Sequence, residues 1–376
     1  MAAGLPVADL TASNPTRCGF DYGAGLLDSL RDERALDYDP QPLGLFVARE
    51  AVCAYYADHG VRVEPGQIAL TTSTSEAYSY LFRLLCDPGS EILVPQPGYP
   101  LFDFLAALDD VRIRNAPLVY DHGWQVDPEG FRRMITAQTR AIVLVHPNNP
   151  TGHFTKAWEA EELGRLCREH GLSLIVDEVF LDYAMPHGER GRPWSFAAGL
   201  DGVPVFVVSG LSKIAGLPQM KAAWIVATGT EHAAAVARLE VIADTFLSMN
   251  APTQWAIPAW LAGRERIQDQ IRRRVRVNLS ELDRQLAGEP VVRRLEVEGG
   301  WYAVLRIAAL QPDEKTVREL LDEGVWVHPG YFFGMADAGW LVVSLLGAEA
   351  EFSTGVTRLL NYLDKNQRGH KIGDGP

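Results

Sequence analysis

The sequence predicts an α/β protein built around a mainly parallel sheet, and three observations carry that prediction. Short apolar, β-branched runs alternate with longer amphipathic stretches through the middle of the chain. The runs are apolar at successive positions, the pattern of strands covered on both faces. Helix stop signals and turn residues separate them, as in consecutive βαβ units. The strand candidates are 67–71 (QIALT), 91–95 (EILVP), 141–146 (AIVLVH), 173–177 (SLIVD), 205–209 (VFVVS) and 223–227 (AWIVA). Between them, 75–86 reads as a helix with acidic Glu76 in its first turn and Pro88-Gly89 past its end. Residues 157–169 read as another, closed by His170-Gly171.

After position 227 the pattern changes. Residues 231–245 and 263–286 read as long helices, the second carrying the basic run RERIQDQIRRRVR. That run is expected to be a solvated helix face whose arginine stems lie over apolar neighbours. From Val291 onward, shorter strands (WYAVLRI, GVWVHPG, WLVVSLL) mix with helices, which suggests a smaller α+β unit. The polar tail 365–376 is expected to fray.

Composition narrows the function. The 376 residues are 47% hydrophobic, which excludes a disordered chain, and 35 basic against 48 acidic residues leave a formal charge of −13. Such a balance opposes a nucleic-acid or anionic-membrane surface, although a local pocket can still hold one phosphate. No apolar run approaches the ~18–20 residues that span a bilayer. The N-terminus MAAGLPVADLTASNP lacks the basic start and apolar stretch of a secretory signal. Cys18, Cys53, Cys86 and Cys167 are scattered and, like the nine histidines, show no zinc spacing, so reduced thiols, no metal site and a cytoplasmic protein are expected.

Several familiar motifs are absent. Gly23–Gly25 (GAG) lacks a third glycine and a preceding strand, and there is neither a Walker loop nor a G-x-S-x-G elbow. Instead, four polar features stand at the carboxyl ends of strand candidates, where open α/β sheets bind ligands. Thr71–Ser75 (TTSTS) lies between a strand and a helix, where free N–H groups and hydroxyls make either an anion cradle or an ordinary helix cap. His146–Gly152 (HPNNPTG) alone is a turn. Asp177 ends an apolar strand, where an unpaired carboxylate is costly and needs a cation or several donors. Lys213 follows Ser209-Gly210-Leu211-Ser212 after another such strand.

In this order the four clusters resemble the class I/II aminotransferases, pyridoxal 5'-phosphate enzymes of fold type I. The resemblance covers most of the chain from Tyr38 onward and rests on N-P-T-G, then D-E-V after a strand, then S-K after another. It implies a large domain, 28–261, with a mainly parallel sheet of the seven-stranded type. A smaller α+β domain combines 1–27 with 290–376, and the helix 263–286 connects the two. It further implies that Lys213 is the Schiff-base lysine and the base of a 1,3-proton shift. Asp177 then pairs with the pyridinium nitrogen, Asn149 bonds the phenolic oxygen and Tyr99 stacks on the ring. Ser73, Thr74 and Ser75 cradle the phosphate, and Tyr38 reaches the phosphate of a neighbouring subunit, so the active unit is a homodimer. The implied substrates are an amino donor and a 2-oxo acid acceptor.

The chain also departs from the family pattern. Phe180 stands where a cofactor-bonding tyrosine is usual, with Tyr183 or a water as the candidate substitute. Lys221 replaces a phosphate-binding arginine, keeping charge but losing the bidentate fork. Gly210 replaces a serine, leaving Ser209 or Ser212 to supply the hydroxyl, and Ser73 replaces a glycine of the phosphate loop. Val342, in LVVS, occupies the place of the arginine that clamps the substrate carboxylate, and Arg17 in SNPTRCGF is the candidate replacement, a solvent-exposed arginine being the other reading. These departures leave a lyase or decarboxylase on the same fold as a rival, and a non-catalytic cofactor-binding regulator as a second.

Overall fold

The computed structural model describes residues 6–185 and 194–373. A two-residue strand, β1 (Ala8–Asp9), starts the described chain. The central sheet is made by β2 (Ile68–Thr71), β3 (Glu91–Gln96), β4 (Arg112–Tyr120), β5 (Trp124–Val126), β6 (Thr139–Val145), β7 (Ser173–Asp177), β8 (Pro204–Gly210) and β9 (Ala223–Gly229). Its order is β2-β9-β8-β7-β6-β3-β4-β5. Pairings β3–β4, β3–β6, β6–β7 and β7–β8 are parallel; β9 runs antiparallel to both neighbours, and β5 folds back on β4. The mainly parallel sheet predicted from the alternation is therefore present, with the short β5 hairpin as an eighth strand.

Helices α1 (Phe46–Asp58), α2 (Thr74–Leu85), α3 (Phe102–Leu108), α4 (Pro128–Met134) and α5 (Ala157–His170) intervene. Gly171 closes α5 in the left-handed conformation at φ 64°, as the His170-Gly171 signal predicts. Strands β6 and β7 are buried at nearly every position because apolar clusters lie on both faces of the sheet: Leu174 and Val176 belong to one, Ile175 to the other. Each such side chain contributes roughly 1.5–3 kcal/mol on leaving water.

The chain continues through α6 (Leu211–Ile214), α7 (His232–Phe246), α8 (Ala251–Ala262) and α9 (Glu265–Leu286). The basic run is tied to its surroundings: Arg264, buried just before α9, pairs with Asp58, and on α9 Arg266 pairs with Asp21 and Arg272 with Asp269, while Arg274 lies over the Phe20 ring. A second sheet, β10 (Val292–Arg294), β11 (Tyr302–Ile307), β13 (His328–Pro329) and β14 (Trp340–Ser344), has the order β10-β11-β14-β13. It is flanked by α10 (Asp313–Asp322) and α11 (Glu349–Gly373), and β12 (Val325–Trp326) pairs in parallel with β1. The tail does not end its helix at 365: α11 continues to Gly373, since Lys365-Asn366-Gln367-Arg368 contains no helix breaker. Residues 374–376 of the predicted tail lie outside the described residues.

Candidate active site

The register of the central sheet brings the four polar clusters to one edge. Asp177, last in β7, pairs with Val145 at the end of β6 and with Val208 near the end of β8. His146–Gly152 begins directly after Val145, and its first N–H donates to the Asp177 carbonyl at 2.8 Å. Gly210 ends β8 and opens α6, which carries Lys213. Thr71 ends β2 at the same edge, opposite Ala223 of β9, and leads through Thr72 and Ser73 into α2.

Lys213 and Asp177 face one another across this edge. The Lys213 Nζ lies 5.2 Å from the centre of the Trp301 ring and 5.8 Å from that of Phe180. Burial lowers the Lys213 ammonium below the usual lysine range, and the Asp177 carboxylate partly opposes that shift. Asp177 is raised to about 6, chiefly by burial. The Val179 N–H at 3.0 Å, the Tyr78 hydroxyl at 3.1 Å and Lys213 each pull it back, so the group is mainly a carboxylate at neutral pH. Tyr99 stands at the mouth, 42% exposed and edge-on to Phe102. Its phenol is raised by burial and by the Asp177 charge.

Among the described residues, Asn149 Oδ1 and Ser209 Oγ at this edge, and Nε1 of Trp301 beside the lysine, are buried without a hydrogen-bond partner. Leaving a buried polar group unpaired costs about 1–3 kcal/mol, so a ligand with polar atoms here would recover that energy. At the start of α2 the Ser73 hydroxyl oxygen accepts the Glu76 N–H at 3.1 Å. Glu76 in turn accepts from the Thr72 N–H at 2.6 Å and from the Ser248 hydroxyl at 2.9 Å. Ser73 therefore acts as a helix cap, and the anion-binding capacity rests on the uncapped N–H groups of Thr74 and Ser75 at the positive end of α2. A buried carboxylate for a ring nitrogen, unpaired atoms for ring substituents and a helix N-terminus for a phosphate fit pyridoxal phosphate.

The remaining predicted residues are exposed or engaged in other contacts. Lys221 is exposed, in the left-handed region at φ 53°. Tyr38 is 85% exposed and lines a cavity of about 470 Å³ with Trp255 and Tyr80, whose lining does not include Lys213. Arg17 is exposed in a single 3-10 turn and makes no ion pair among the described residues. Tyr183 does not replace the missing phenol at Phe180, because its own hydroxyl donates to the Lys213 carbonyl at 2.7 Å. Val342 is fully buried and pairs with Val304 and His328. His146 is a structural residue, held neutral by burial, with its Nε2 3.1 Å from the Trp194 carbonyl and its Nδ1 accepting the Thr155 N–H.

Tyr78 and Trp301 were not legible as site residues. Tyr78 stands four residues after Thr74 on α2, so helical spacing puts it on the face of the phosphate cradle, and that spacing was the available signal. Trp301 reaches the lysine from β11's approach, more than eighty positions later, and nothing local announces it.

A doubly covered, mainly parallel sheet with a buried lysine and carboxylate at its carboxyl edge defines the architecture of a fold-type I pyridoxal-phosphate enzyme. The chain belongs to the aminotransferase class I and II family, whose profile matches residues 33–359. It is 25% identical over 378 residues to the glutamate-pyruvate aminotransferase AlaA of Haemophilus influenzae, covering 96% of this chain and 91% of that protein. It is 27% identical to the alanine aminotransferase of Mycobacterium tuberculosis, covering 96% and 86%. Among solved structures, the alanine aminotransferase of Pyrococcus furiosus superposes with a TM-score of 0.87 at 23% identity, covering 96% of this chain and 93% of that one. The protein is a pyridoxal-phosphate-dependent aminotransferase.

Proposed function

We propose that Lys213 is the residue that carries the cofactor and moves the proton in this transamination. The observation that supports it most directly is the placement of the Lys213 amine, depressed by burial, opposite the Asp177 carboxylate with the unpaired Ser209 and Asn149 atoms beside them. Bound here, pyridoxal phosphate supplies an aldehyde for the substrate amine and a ring that withdraws electrons from the substrate Cα. Asp177 holds the proton at the ring nitrogen, Asn149 bonds the phenolic oxygen and Tyr99 covers the ring face. The N–H groups of Thr74 and Ser75, the Ser209 hydroxyl and the Lys221 ammonium would hold the phosphate, with Ser73 capping the helix that presents those N–H groups. Lys213, as a free amine, would take the proton from the substrate Cα and deliver it across the nitrogen to the former aldehyde carbon, a 1,3-shift.

The names of the relatives support an amino acid as donor and a 2-oxo acid as acceptor. The experiment is a donor and acceptor screen read by the cofactor spectrum, which should cycle between the aldehyde and amine forms. A spectrum that never changes with any amino donor overturns the reading. The reading also includes the division into 28–261, the split unit 1–27 with 290–376, and the connecting helix 263–286, which the separate apolar cluster around the smaller sheet supports. The reading includes a cytoplasmic enzyme; no helix among the described residues is long and apolar enough to cross a membrane.

We further propose that the enzyme is a homodimer in which Tyr38 reaches the partner's phosphate. The exposure of Tyr38, with Leu36 and Phe46 also exposed near the 470 Å³ cavity, supports a covered face. Light scattering should give twice the chain mass, and Tyr38→Phe should weaken cofactor retention about fivefold in equilibrium dialysis. Monomeric enzyme with full activity overturns this. Arg17 is proposed to replace the clamp missing at Val342. Arg17→Ala should raise KM for the amino acid by roughly tenfold with kcat little changed, as loss of a charge-assisted contact does. Kinetics equal to wild type would end that assignment.

A further inference from the structure

We infer that Tyr183, supported by Gln268 and Tyr22, is the positioning residue that fixes where the Lys213 amine stands. The inference rests on the proposed role of Lys213 and concerns how this chain holds that side chain.

The helix that carries the lysine is too short to hold itself. α6 has four residues, no more than the four carbonyls that a helix C-terminus leaves without intrahelical partners. Its turn is closed by main-chain bonds from Ala215 and Leu217 to the Leu211 carbonyl, at 3.1 and 3.0 Å, and by a longer one from Gly216 to the Lys213 carbonyl at 3.2 Å. Three side chains from three other parts of the chain supply the rest. The Tyr183 hydroxyl donates to the Lys213 carbonyl at 2.7 Å, the Gln268 amide on α9 to the Ile214 carbonyl at 2.9 Å, and the Tyr22 hydroxyl to the Gly216 carbonyl at 2.6 Å. Gly216 itself is left-handed, and a Cβ there would lie 3.1 Å from both the Tyr22 hydroxyl and Ile267, so the turn is packed against its clamp.

Tyr183 grips the lysine at both ends. Its hydroxyl holds the main chain, and its ring packs edge-on against Trp301 with centres 5.0 Å apart. Trp301 also meets Phe180 edge-on at 5.2 Å, and those two rings are the ones facing the Lys213 Nζ. A cation is attracted to such faces, so their placement decides how readily the amine stays charged. The two supporting arms come from elements that also bind the smaller sheet. On α9, Asn278 donates to the Leu345 and Gly347 carbonyls and Arg274 to that of Leu346, just after β14. The N-terminal segment that carries Tyr22 accepts the Ser344 N–H at Leu10. The lysine turn is thus fixed both to the central sheet and to the side of the smaller one.

A small displacement of a reacting amine is costly, because the transfer needs a near-attack geometry. The test uses holoenzyme Tyr183→Phe, which keeps the ring and removes only the hydroxyl, and Gln268→Met as the second variant should the first fail to fold. Each should lower kcat by roughly five- to tenfold with KM within about twofold. Each should also move the pH midpoint of the Lys213-dependent visible absorbance, and in cofactor-free protein the pH at which Lys213 reacts with an amine-labelling reagent. A purely structural hydrogen bond would lower Tm and leave both midpoints in place. Unchanged midpoints and kcat in a folded variant, with the wild-type band present, overturn the positioning role alone. A wild-type enzyme without a Lys213-dependent band overturns the role of Lys213 itself, and this inference with it.

Discussion

Lys213→Ala should abolish the visible absorbance of the loaded enzyme and lower kcat/KM by at least about 10⁴-fold, because one residue serves as both nucleophile and base. The loss is expected without loss of the fold. Burial holds the Lys213 ammonium below its ordinary range, so the charged group is disfavoured in the native state and its removal relieves a cost at neutral pH. The sign follows from the direction of the shift: a lysine depressed on folding opposes stability below its ordinary titration range. Cofactor-free Lys213→Ala should therefore keep the wild-type fold, the relief at Lys213 being offset by the loss of the cation beside the buried Asp177. Lys213→Arg separates the roles of charge and proton transfer. Arginine retains the cation beside Asp177 but cannot give up a proton at working pH, so it should be as inactive as alanine. Activity within tenfold of wild type in either variant would remove Lys213 from the chemistry.

How much of this was legible before the fold was known depends on how far each residue's partner lies along the chain. The strands β6, β7 and β8 read directly from uninterrupted apolar runs, because burial on both faces leaves no polar position. β4 did not, since it has β5 beside only its last three residues, mixes exposed with buried positions and carries Pro117. α8 also escaped: it is apolar nearly all round and holds Pro258, so it has neither a helical period nor good helix formers throughout. α9 begins at Glu265, two residues later than its periodicity suggests, because α8 and its closing Gly263 occupy the preceding turn.

The site divides in the same way. Asp177, Asn149 and Lys213 follow strands in short motifs, and the parallel register carries all three to one edge. Tyr78 reaches Asp177 across 99 positions, and Tyr22 reaches Gly216 across 194, so no local pattern could reveal either contact. Ser73 was legible only as one of two alternatives. Its hydroxyl is committed to the Glu76 N–H, and the cradle that remains is made by main-chain groups that every sequence has.

Asp177→Asn should separate activity from stability in opposite directions. The Asp177 carboxyl is raised to about 6 against an ordinary 3.8, mainly because burial disfavours the charge. A carboxyl raised on folding favours the native state below about pH 4 and loses that advantage as pH rises to about 6. Above that window cofactor-free wild type bears the full cost, on the order of 3 kcal/mol. The neutral amide bears none of it, so cofactor-free Asp177→Asn should be the more stable protein at pH 8, and the difference should vanish near pH 4. Glu178, raised to about 7 mainly by burial and also by the Asp177 charge, gives both proteins a second decline between about pH 4.5 and 7, smaller in the variant, which adds to the difference at pH 8. The loaded enzyme should behave in the reverse sense. A positive ring nitrogen beside the carboxylate turns the buried charge into a pair, so cofactor binding should stabilise wild type more at pH 8 than at pH 5, and Asp177→Asn much less at either. Turnover should fall by roughly 10²–10³-fold, because the amide cannot hold the proton that makes the ring an electron sink. Thermal unfolding across pH, with and without cofactor, checks the stability terms, and steady-state rates check the last. A variant that is less stable at pH 8 without cofactor, or that keeps near-normal turnover, would mean that Asp177 is buried for packing and not for the ring.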